Sequence, residues 1–273
     1  MTDNILEVRG LRKTFVTRDA EGRGEHVAVD DVSFDIPRGS CLAIVGESGS
    51  GKTTTARIVA GLETADAGTV TLDGETDTQR RRHRGRTARP VQMVFQDPFG
   101  SLDPRQRVGN GIEELLGIHH RLSRTERRTR VLELLTRVGL DEQHAGEFPG
   151  NLSGGQRQRV AIARALSMEP KLLILDEAVS ALDVSVQAQV LNLLIDIRRQ
   201  TGITYLFISH DLAVVRQISD HCAVMRNGRV VEEGATAEVL GSPREEYTRT
   251  LIDAVPRPGW VPRRRTELTV ARE

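Results

Sequence analysis

The feature that most constrains the fold lies near residue 50, where an apolar run, a glycine-rich turn and a helix-forming stretch follow one another. The run CLAIV at residues 41–45 is apolar throughout, which is typical of a buried parallel strand. The stretch KTTTARIVAGL at residues 52–62 predicts a helix that Gly61 ends. Between them GESGSGKT, residues 46–53, matches the pattern G-x-x-x-x-G-K-[ST] in full. This order predicts an α/β fold with a phosphate-binding loop.

Phosphate recognition explains the residue types of this loop. Phosphate oxygens need backbone N–H donors that converge on one point, and glycines let the chain curl that tightly. Lys52 adds a compact charge, for which the planar group of arginine would substitute poorly. Only three of the 38 basic residues are lysines, so a lysine here is informative. A glycine-rich turn without function is the alternative, which the flanking strand and helix disfavour. We expect the phosphates of ATP to contact Gly46, Glu47, Ser48, Gly49, Ser50, Gly51, Lys52, Thr53 and Thr54.

A second candidate element is the stretch KLLILDE, an apolar run that ends in Asp176 and Glu177. Ligands of open α/β sheets bind at the carboxyl ends of the strands, so we expect these acids beside the strand that carries the phosphate loop. There Asp176 can orient Mg2+ together with the hydroxyl of Thr53, and Glu177 can polarise the attacking water. An ordinary solvated acidic turn is the alternative, which the phosphate loop upstream disfavours.

The order of strand and helix patterns predicts the fold class. Strand-like apolar runs recur after the phosphate loop, at residues 91–95, 172–176, 204–209 and 222–225. We predict the parallel core sheet of a RecA-like P-loop NTPase, preceded by N-terminal antiparallel strands and interrupted by a helical subdomain at about residues 97–158. The expected domains are an ATPase domain over residues 1–240 and a C-terminal extension over residues 241–273, with a poorly ordered tail from residue 256.

Composition and cysteine content disfavour several other classes. Formal net charge is zero, so the charge of the whole chain does not favour a nucleic-acid partner. Cys41 and Cys222 lie in apolar runs without metal-ligand spacing, which indicates buried thiols in a reducing compartment. No apolar signal segment is visible, and no apolar run approaches the ~20 residues that span a bilayer. We expect any membrane role to come through partner proteins.

The segment LSGGQRQR at residues 152–159 resembles the signature of the ATP-binding cassette (ABC) family, for which a plain P-loop ATPase has no need. The resemblance spans roughly residues 5–235, with the motifs in the family's order. Gln96 matches the Q-loop glutamine, SALD at residues 180–183 matches the D-loop, and His210 matches the switch histidine. Phe15 stands where the family has an aromatic residue that stacks on adenine, although a core phenylalanine is the alternative.

The resemblance implies a catalytic role for several of these positions. Thr53, Gln96 and Asp176 would hold Mg2+. Lys52 would bind the phosphates during catalysis, Glu177 would act as the general base, and His210 would orient the γ-phosphate and the water.

The signature is predicted to form a second anion site. Ser153 is a natural N-cap, and the helix that follows would present backbone N–H groups and a hydroxyl at its N-terminus. The resemblance implies that this site serves the ATP held by another subunit, so that two chains would enclose two ATP molecules head to tail. The residues concerned are Ser153, Gly154, Gly155 and Gln156.

Three kinds of protein compete at this point: the ATPase subunit of an importer, a non-transport ABC ATPase associated with nucleic acid or ribosomes, and an unrelated P-loop enzyme such as a kinase. The signature and His210 disfavour the kinase. Relatives of the non-transport kind carry long coiled-coil insertions or two cassettes, whereas this chain has one cassette and no sustained heptads. A cassette without fused membrane helices is most similar to importer subunits.

Two further segments resemble the peptide/nickel importer ATPases, VQMVFQDPFGSLDPR at residues 91–105 and SPREEYTRTLIDAVP at residues 242–256. This resemblance implies uptake of oligopeptides or dipeptides, with nickel or another small solute as the alternative. The partners it implies are two transmembrane permease subunits, a second ABC ATPase in a homo- or heterodimer and, indirectly, an extracytoplasmic solute-binding protein. The chain would then lie peripherally on the cytoplasmic face of the cell membrane.

Residues 79–89, QRRRHRGRTAR, form a strongly basic stretch. We expect a solvated surface loop. A nucleic-acid-binding patch is the alternative, but the stretch lacks interleaved aromatic residues for base stacking, so no nucleic-acid partner is expected.

Overall fold

A computed structural model describes residues 3–19, 22–76, 90–97 and 99–255 of the chain, and these residues form two β-sheets and a set of helices. The strands in chain order are β1 (Asn4–Asp19), β2 (Gly22–Pro37), β3 (Cys41–Val45), β4 (Ala67–Leu72), β5 (Glu75–Thr76), β6 (Val91–Val94), β7 (Leu172–Asp176), β8 (Thr204–Ile208), β9 (His221–Arg226) and β10 (Arg229–Ala235). The helices are α1 (Lys52–Val59), α2 (Val108–His119), α3 (Arg124–Arg137), α4 (Gly154–Leu166), α5 (Val184–Thr201), α6 (Leu212–Ile218), α7 (Thr236–Gly241) and α8 (Glu246–Asp253).

The larger sheet has the strand order β10-β9-β3-β8-β7-β6, and its strands are parallel except for the antiparallel β10 at one edge. This arrangement confirms the predicted P-loop NTPase fold class. One expectation was wrong: β7, which ends in Asp176 just before Glu177, does not lie beside β3, because β8 is inserted between them. The order of strands in a sheet depends on the fold of the whole chain, so the apolar pattern of one strand does not specify which strand pairs with it.

The continuous apolar run of β3 is explained by burial of both faces of this sheet. Successive side chains of a strand point to opposite faces, so Leu42 and Ile44 enter one hydrophobic core and Ala43 and Val45 enter the other. The first core also contains Ile58 of α1, together with side chains of the antiparallel sheet. That smaller sheet has the order β2-β1-β4-β5 and provides the predicted N-terminal antiparallel strands.

The second core is built against helices on the other face of the large sheet, including α2, α3 and α4 from the middle of the chain. Cys41 and Cys222 are both free and buried, as the sequence predicts. Burial raises the pKa of the Cys222 thiol to about 12, so this thiol stays protonated.

Some sequence-based expectations can be compared with the described residues, and others concern residues outside them. Among the residues that the structure describes, no helix combines the length and apolarity needed to cross a membrane. The basic stretch at residues 79–89 lies outside the described residues, and so does the tail from residue 256. The division into domains remains a prediction.

Candidate functional site

The glycine-rich turn joins the end of β3 to the start of α1 and is wedged between two neighbouring backbones. A Cβ atom on Gly46, whose φ is 148°, would lie 2.2 Å from the carbonyl oxygen of Met225 at the end of β9. A Cβ atom on Gly51, whose φ is 100°, would lie 2.2 Å from the carbonyl oxygen of Ala28 on β2. Only glycine fits at these two positions, and together they hold the turn in its curled shape.

The N-terminus of α1 opens into this turn and is suited to bind an anion. The first turn of an α-helix leaves N–H groups without intrahelical partners, and the N-cap residue Gly51 has no side chain to occupy them. The helix dipole adds partial positive charge at the same place. This geometry can hold a phosphate chain.

Lys52, the first residue of α1, is only 5% exposed. Its ammonium donates hydrogen bonds to the carbonyl oxygens of Gly46 at 2.8 Å and Glu47 at 2.7 Å. Burial lowers the pKa of Lys52, and the nearby carboxylates of Glu177 and Asp176 partly oppose this shift. The Lys52 ammonium therefore lies inside the loop, next to the N-terminus of α1.

Thr53 and Asp176 meet across the site. The hydroxyl oxygen of Thr53 lies 3.3 Å from Oδ1 of Asp176, which ends β7 and is 6% exposed. Burial raises the pKa of Asp176, although the hydrogen bond from Thr53 lowers it in part. A hydroxyl and a carboxylate are the hard oxygen ligands that Mg2+ prefers, so this pair fits that ion. The third predicted ligand, Gln96, instead donates a hydrogen bond to the Ser180 hydroxyl at 3.4 Å.

Glu177 and His210 come together at the same edge of the sheet. Oε1 of Glu177 lies 3.3 Å from Nδ1 of His210 because they follow the neighbouring strands β7 and β8. Glu177 has a φ of 48°, a left-handed conformation that costs a non-glycine residue about 1–3 kcal/mol. A hydrogen bond from its N–H to the carbonyl of Ile208, 3.0 Å long, holds it there. The side chain remains 21% exposed, so water can reach it.

The predicted signature begins α4 and carries a complete capping box. The Ser153 hydroxyl accepts a hydrogen bond from the Gln156 N–H at 3.3 Å, and the Ser153 N–H donates to Oε1 of Gln156 at 2.8 Å. The side-chain amide of Gln156 also contacts Nε2 of His144 at 3.1 Å. Ser153 and Gly154 are exposed, and within the described residues no hydrogen bond or ion pair joins residues 153–156 to the phosphate loop. The signature thus presents an ordered, outward-facing helix N-terminus.

Phe15 on β1 is 37% exposed, which argues against the core alternative and leaves its ring accessible for stacking. The ammonium of Lys13 lies 5.1 Å from the ring centroid and is itself paired with Glu63 at 2.8 Å. Whether Phe15 stacks on adenine remains a prediction.

Tyr247, in the C-terminal part of the chain, makes a contact with the phosphate loop that the sequence did not predict. Its hydroxyl accepts a hydrogen bond from the N–H of Glu47 in the phosphate loop at 3.4 Å. The two residues are 200 positions apart and Tyr247 belongs to no local phosphate-binding pattern, so no local sequence signal could identify the contact.

Comparison with known proteins identifies relatives over most of the chain. The family model described as ABC transporter matches residues 29–180. The oligopeptide transport ATP-binding protein OppF of Bacillus subtilis is 47% identical over 262 residues, which cover 94% of this chain and 84% of the relative. The glutathione import ATP-binding protein GsiA of Pectobacterium atrosepticum is 48% identical over 262 residues, or 92% of this chain. The matched region spans 41% of that longer relative.

The solved structures include a similar fold. The dimeric ATP-binding cassette MJ0796, in a post-hydrolysis state bound to ADP and Pi, superposes with a TM-score of 0.73 at 30% sequence identity. The superposition covers 85% of this chain and 98% of that cassette.

Proposed function

Since the chain belongs to the ABC transporter family and is an ATPase, we propose that it is the ATP-hydrolysing subunit of a membrane importer. The observation that carries this proposal is the convergence of the phosphate loop, the Thr53–Asp176 pair and the Glu177–His210 pair at one edge of the parallel sheet. These groups come from distant parts of the sequence and supply an anion site, a cation site and a base. That combination suits hydrolysis of a nucleoside triphosphate.

The phosphate chain of ATP would lie against the loop at residues 46–54, where backbone N–H groups and Lys52 face it. Thr53 and Asp176 would hold Mg2+, with Gln96 as the further predicted ligand. Bound Mg2+ would neutralise charge on the phosphate oxygens. Since the Lys52 ammonium already lies inside the loop, its charge would be available there to the β- and γ-phosphates.

Glu177 would act as the general base for the attacking water. It has the two properties that this role needs, because it lies near the phosphate loop and remains accessible to solvent. His210 lies within reach of the Glu177 carboxylate and would orient the water and the γ-phosphate. The backbone hydrogen bond to Ile208 fixes Glu177 in a strained conformation, as is found for residues at active sites.

The signature would complete the site of a second ATPase subunit. Ser153 and Gly154 are exposed at the start of α4, and the buried Gly155 and the part-buried Gln156 follow them. An ATP bound by a partner would meet this helix N-terminus, with Ser153, Gly154, Gly155 and Gln156 as the predicted contacts. Val184, at the start of α5, is 83% exposed, and Val186 of the same helix packs on Gly155. Two chains joined head to tail would cover this surface and hold ATP between them, and hydrolysis would release them.

The transported solute is proposed from the relatives. OppF is by name an oligopeptide transport ATP-binding protein and GsiA a glutathione import ATP-binding protein, and glutathione is itself a small peptide. We therefore infer that the system takes up oligopeptides or dipeptides. Two permease subunits and a solute-binding protein would be its other parts, and the chain would lie on the cytoplasmic face of the membrane.

Uptake of labelled dipeptide and oligopeptide by cells that lack this chain would test the proposal. Wild-type chain is expected to restore uptake, and the Lys52→Ala variant is not. Lys171→Ala is the matched control, since Lys171 pairs with Asp73 near the opposite ends of the strands. Unchanged uptake of both peptides with and without the chain would reject a role in peptide import.

A further inference from the structure

Helix α8, close to the C-terminal end of the described residues, places an aromatic residue against the phosphate loop. The Tyr247 hydroxyl accepts a hydrogen bond from the Glu47 N–H at 3.4 Å. The guanidinium carbon of Arg226 lies 4.6 Å from the centre of the Tyr247 ring. Tyr247 therefore touches both the loop and the end of β9, on which the loop rests.

The position of Tyr247 is fixed by the way in which α8 is attached to the sheet. Just before the helix, the backbone N–H groups of Arg244 and Glu245 donate to the carboxylate of Glu232 on β10, at 2.8 and 3.2 Å. Strand β10 pairs with β9, which carries Arg226. The Tyr247 hydroxyl is thus positioned by β10 and β9, and β9 also supports the loop.

The hydrogen bond acts on a peptide segment that is held at both ends. The Glu47 carbonyl accepts from Lys52 at 2.7 Å, and the Glu47 N–H donates to Tyr247. Gly46, immediately before it, is pressed against the backbone of Met225. A phosphate chain in the loop would compete with the Glu47 carbonyl for the Lys52 ammonium. The hold on Glu47 would then depend more on Tyr247.

We propose that Tyr247 is a positioning residue of the nucleotide site, which keeps the entry of the phosphate loop in its binding-competent shape. The C-terminal extension, beyond the 29–180 match to the family model, would then be part of the ATP site. A subunit that pulls α8 away from the loop would lower the affinity for ATP without touching the nucleotide. This inference rests on the proposed phosphate-binding role of the loop.

The test is nucleotide affinity of the purified full chain, measured with a fluorescent ATP analogue and with ATP as competitor. Tyr247→Phe removes the hydroxyl and keeps the ring beside Arg226. One hydrogen bond contributes about 1 kcal/mol, so the Kd for ATP should rise roughly fivefold. KM should rise in parallel and kcat at saturating ATP should not change, because Glu177 and His210 are untouched.

The matched control is Thr250→Ala on the same helix. It removes a hydrogen bond within the helix, from the Thr250 hydroxyl to the Glu246 carbonyl at 3.0 Å. This control should leave the Kd for ATP unchanged. Tyr247→Ala should weaken binding more than Tyr247→Phe, because it also removes the ring from Arg226. The split between KM and kcat distinguishes positioning of the loop from general loss of structure.

Unchanged affinity in Tyr247→Phe, with a wild-type chain that binds ATP, would overturn this inference and leave the proposed function intact. An equal loss of affinity in Thr250→Ala would overturn it as well, since the effect would then belong to the helix as a whole. A wild-type chain that binds no ATP would instead contradict the proposed function.

Discussion

The phosphate loop and the signature helix are two helix N-termini with opposite relations to their own chain. The loop before α1 is held by its own chain, because Met225 and Ala28 confine Gly46 and Gly51 and buried Lys52 already lies within it. The start of α4 is exposed, and Ser153 caps it in a capping box with Gln156. One anion site is therefore supported by its own chain, and the other faces outward. This contrast supports a division of labour in which a chain binds ATP with the first and acts on a partner's ATP with the second.

The largest effect is expected beside the phosphate loop, from Glu177→Gln. The amide cannot accept a proton from water, so kcat should fall by about 10²–10⁴-fold while ATP binding persists. Glu169→Gln is a suitable control because Glu169 has nearly the same left-handed φ, 50° against 48°, and pairs with Arg130 instead. Steady-state ATPase assays and equilibrium binding separate the two effects. Wild-type turnover in Glu177→Gln would remove Glu177 from the mechanism.

The exposed site is tested by Ser153→Ala. If the signature acts on a partner's nucleotide, kcat should fall roughly 10–100-fold, as for loss of a hydrogen bond to a charged group, with nucleotide binding by the single chain unchanged. Ser123→Ala is the control, because Ser123 and Glu126 form the same capping box at the start of α3. Both variants should lose about 1 kcal/mol of stability. Equal ATPase rates in the two would mean that the signature serves only as a cap.

A smaller effect concerns the contribution of Asp176, beside the phosphate loop, to stability. Burial raises the pKa of Asp176 above its ordinary value. The ionised carboxylate therefore destabilises the folded state, and this destabilisation develops as the pH rises from the pKa of the unfolded chain to that of the folded chain. Asp176→Asn should therefore raise the thermal unfolding midpoint at neutral pH, in the absence of nucleotide, and it should also lower ATPase activity. Asp196→Asn, an exposed position on α5, should change neither. A lower midpoint for Asp176→Asn would show that the charge stabilises the fold.

The difference between the two regions also explains what the sequence could predict. The turn around Lys52 and the cap at Ser153 depend on residues close together in the chain, and both were identified from local patterns. Contacts between Thr53 and Asp176, or between Glu177 and His210, were expected only in outline, since they depend on which strands end at one edge. The insertion of β8 between β3 and β7 was not foreseen, because no local rule orders strands in a sheet.

Exposure and distant contacts were the other properties that the sequence left open. The sequence is compatible with either a core or a surface position for Phe15, and the 37% exposure of this residue in the structure favours the surface. Tyr247 is 200 residues from Glu47 in the sequence, and only the folded sheet brings it into contact with the loop. Both depend on packing that no short segment encodes.

The measurement that tests the account most directly is ATP binding by purified Lys52→Ala in the presence of magnesium, with Lys171→Ala alongside. Loss of the buried ammonium should weaken ATP binding roughly 10–100-fold, as expected for hydrogen bonds from a charged donor, and the control should bind like wild type. Equal ATP affinity in wild type and Lys52→Ala would contradict the claim that the phosphates lie in this loop.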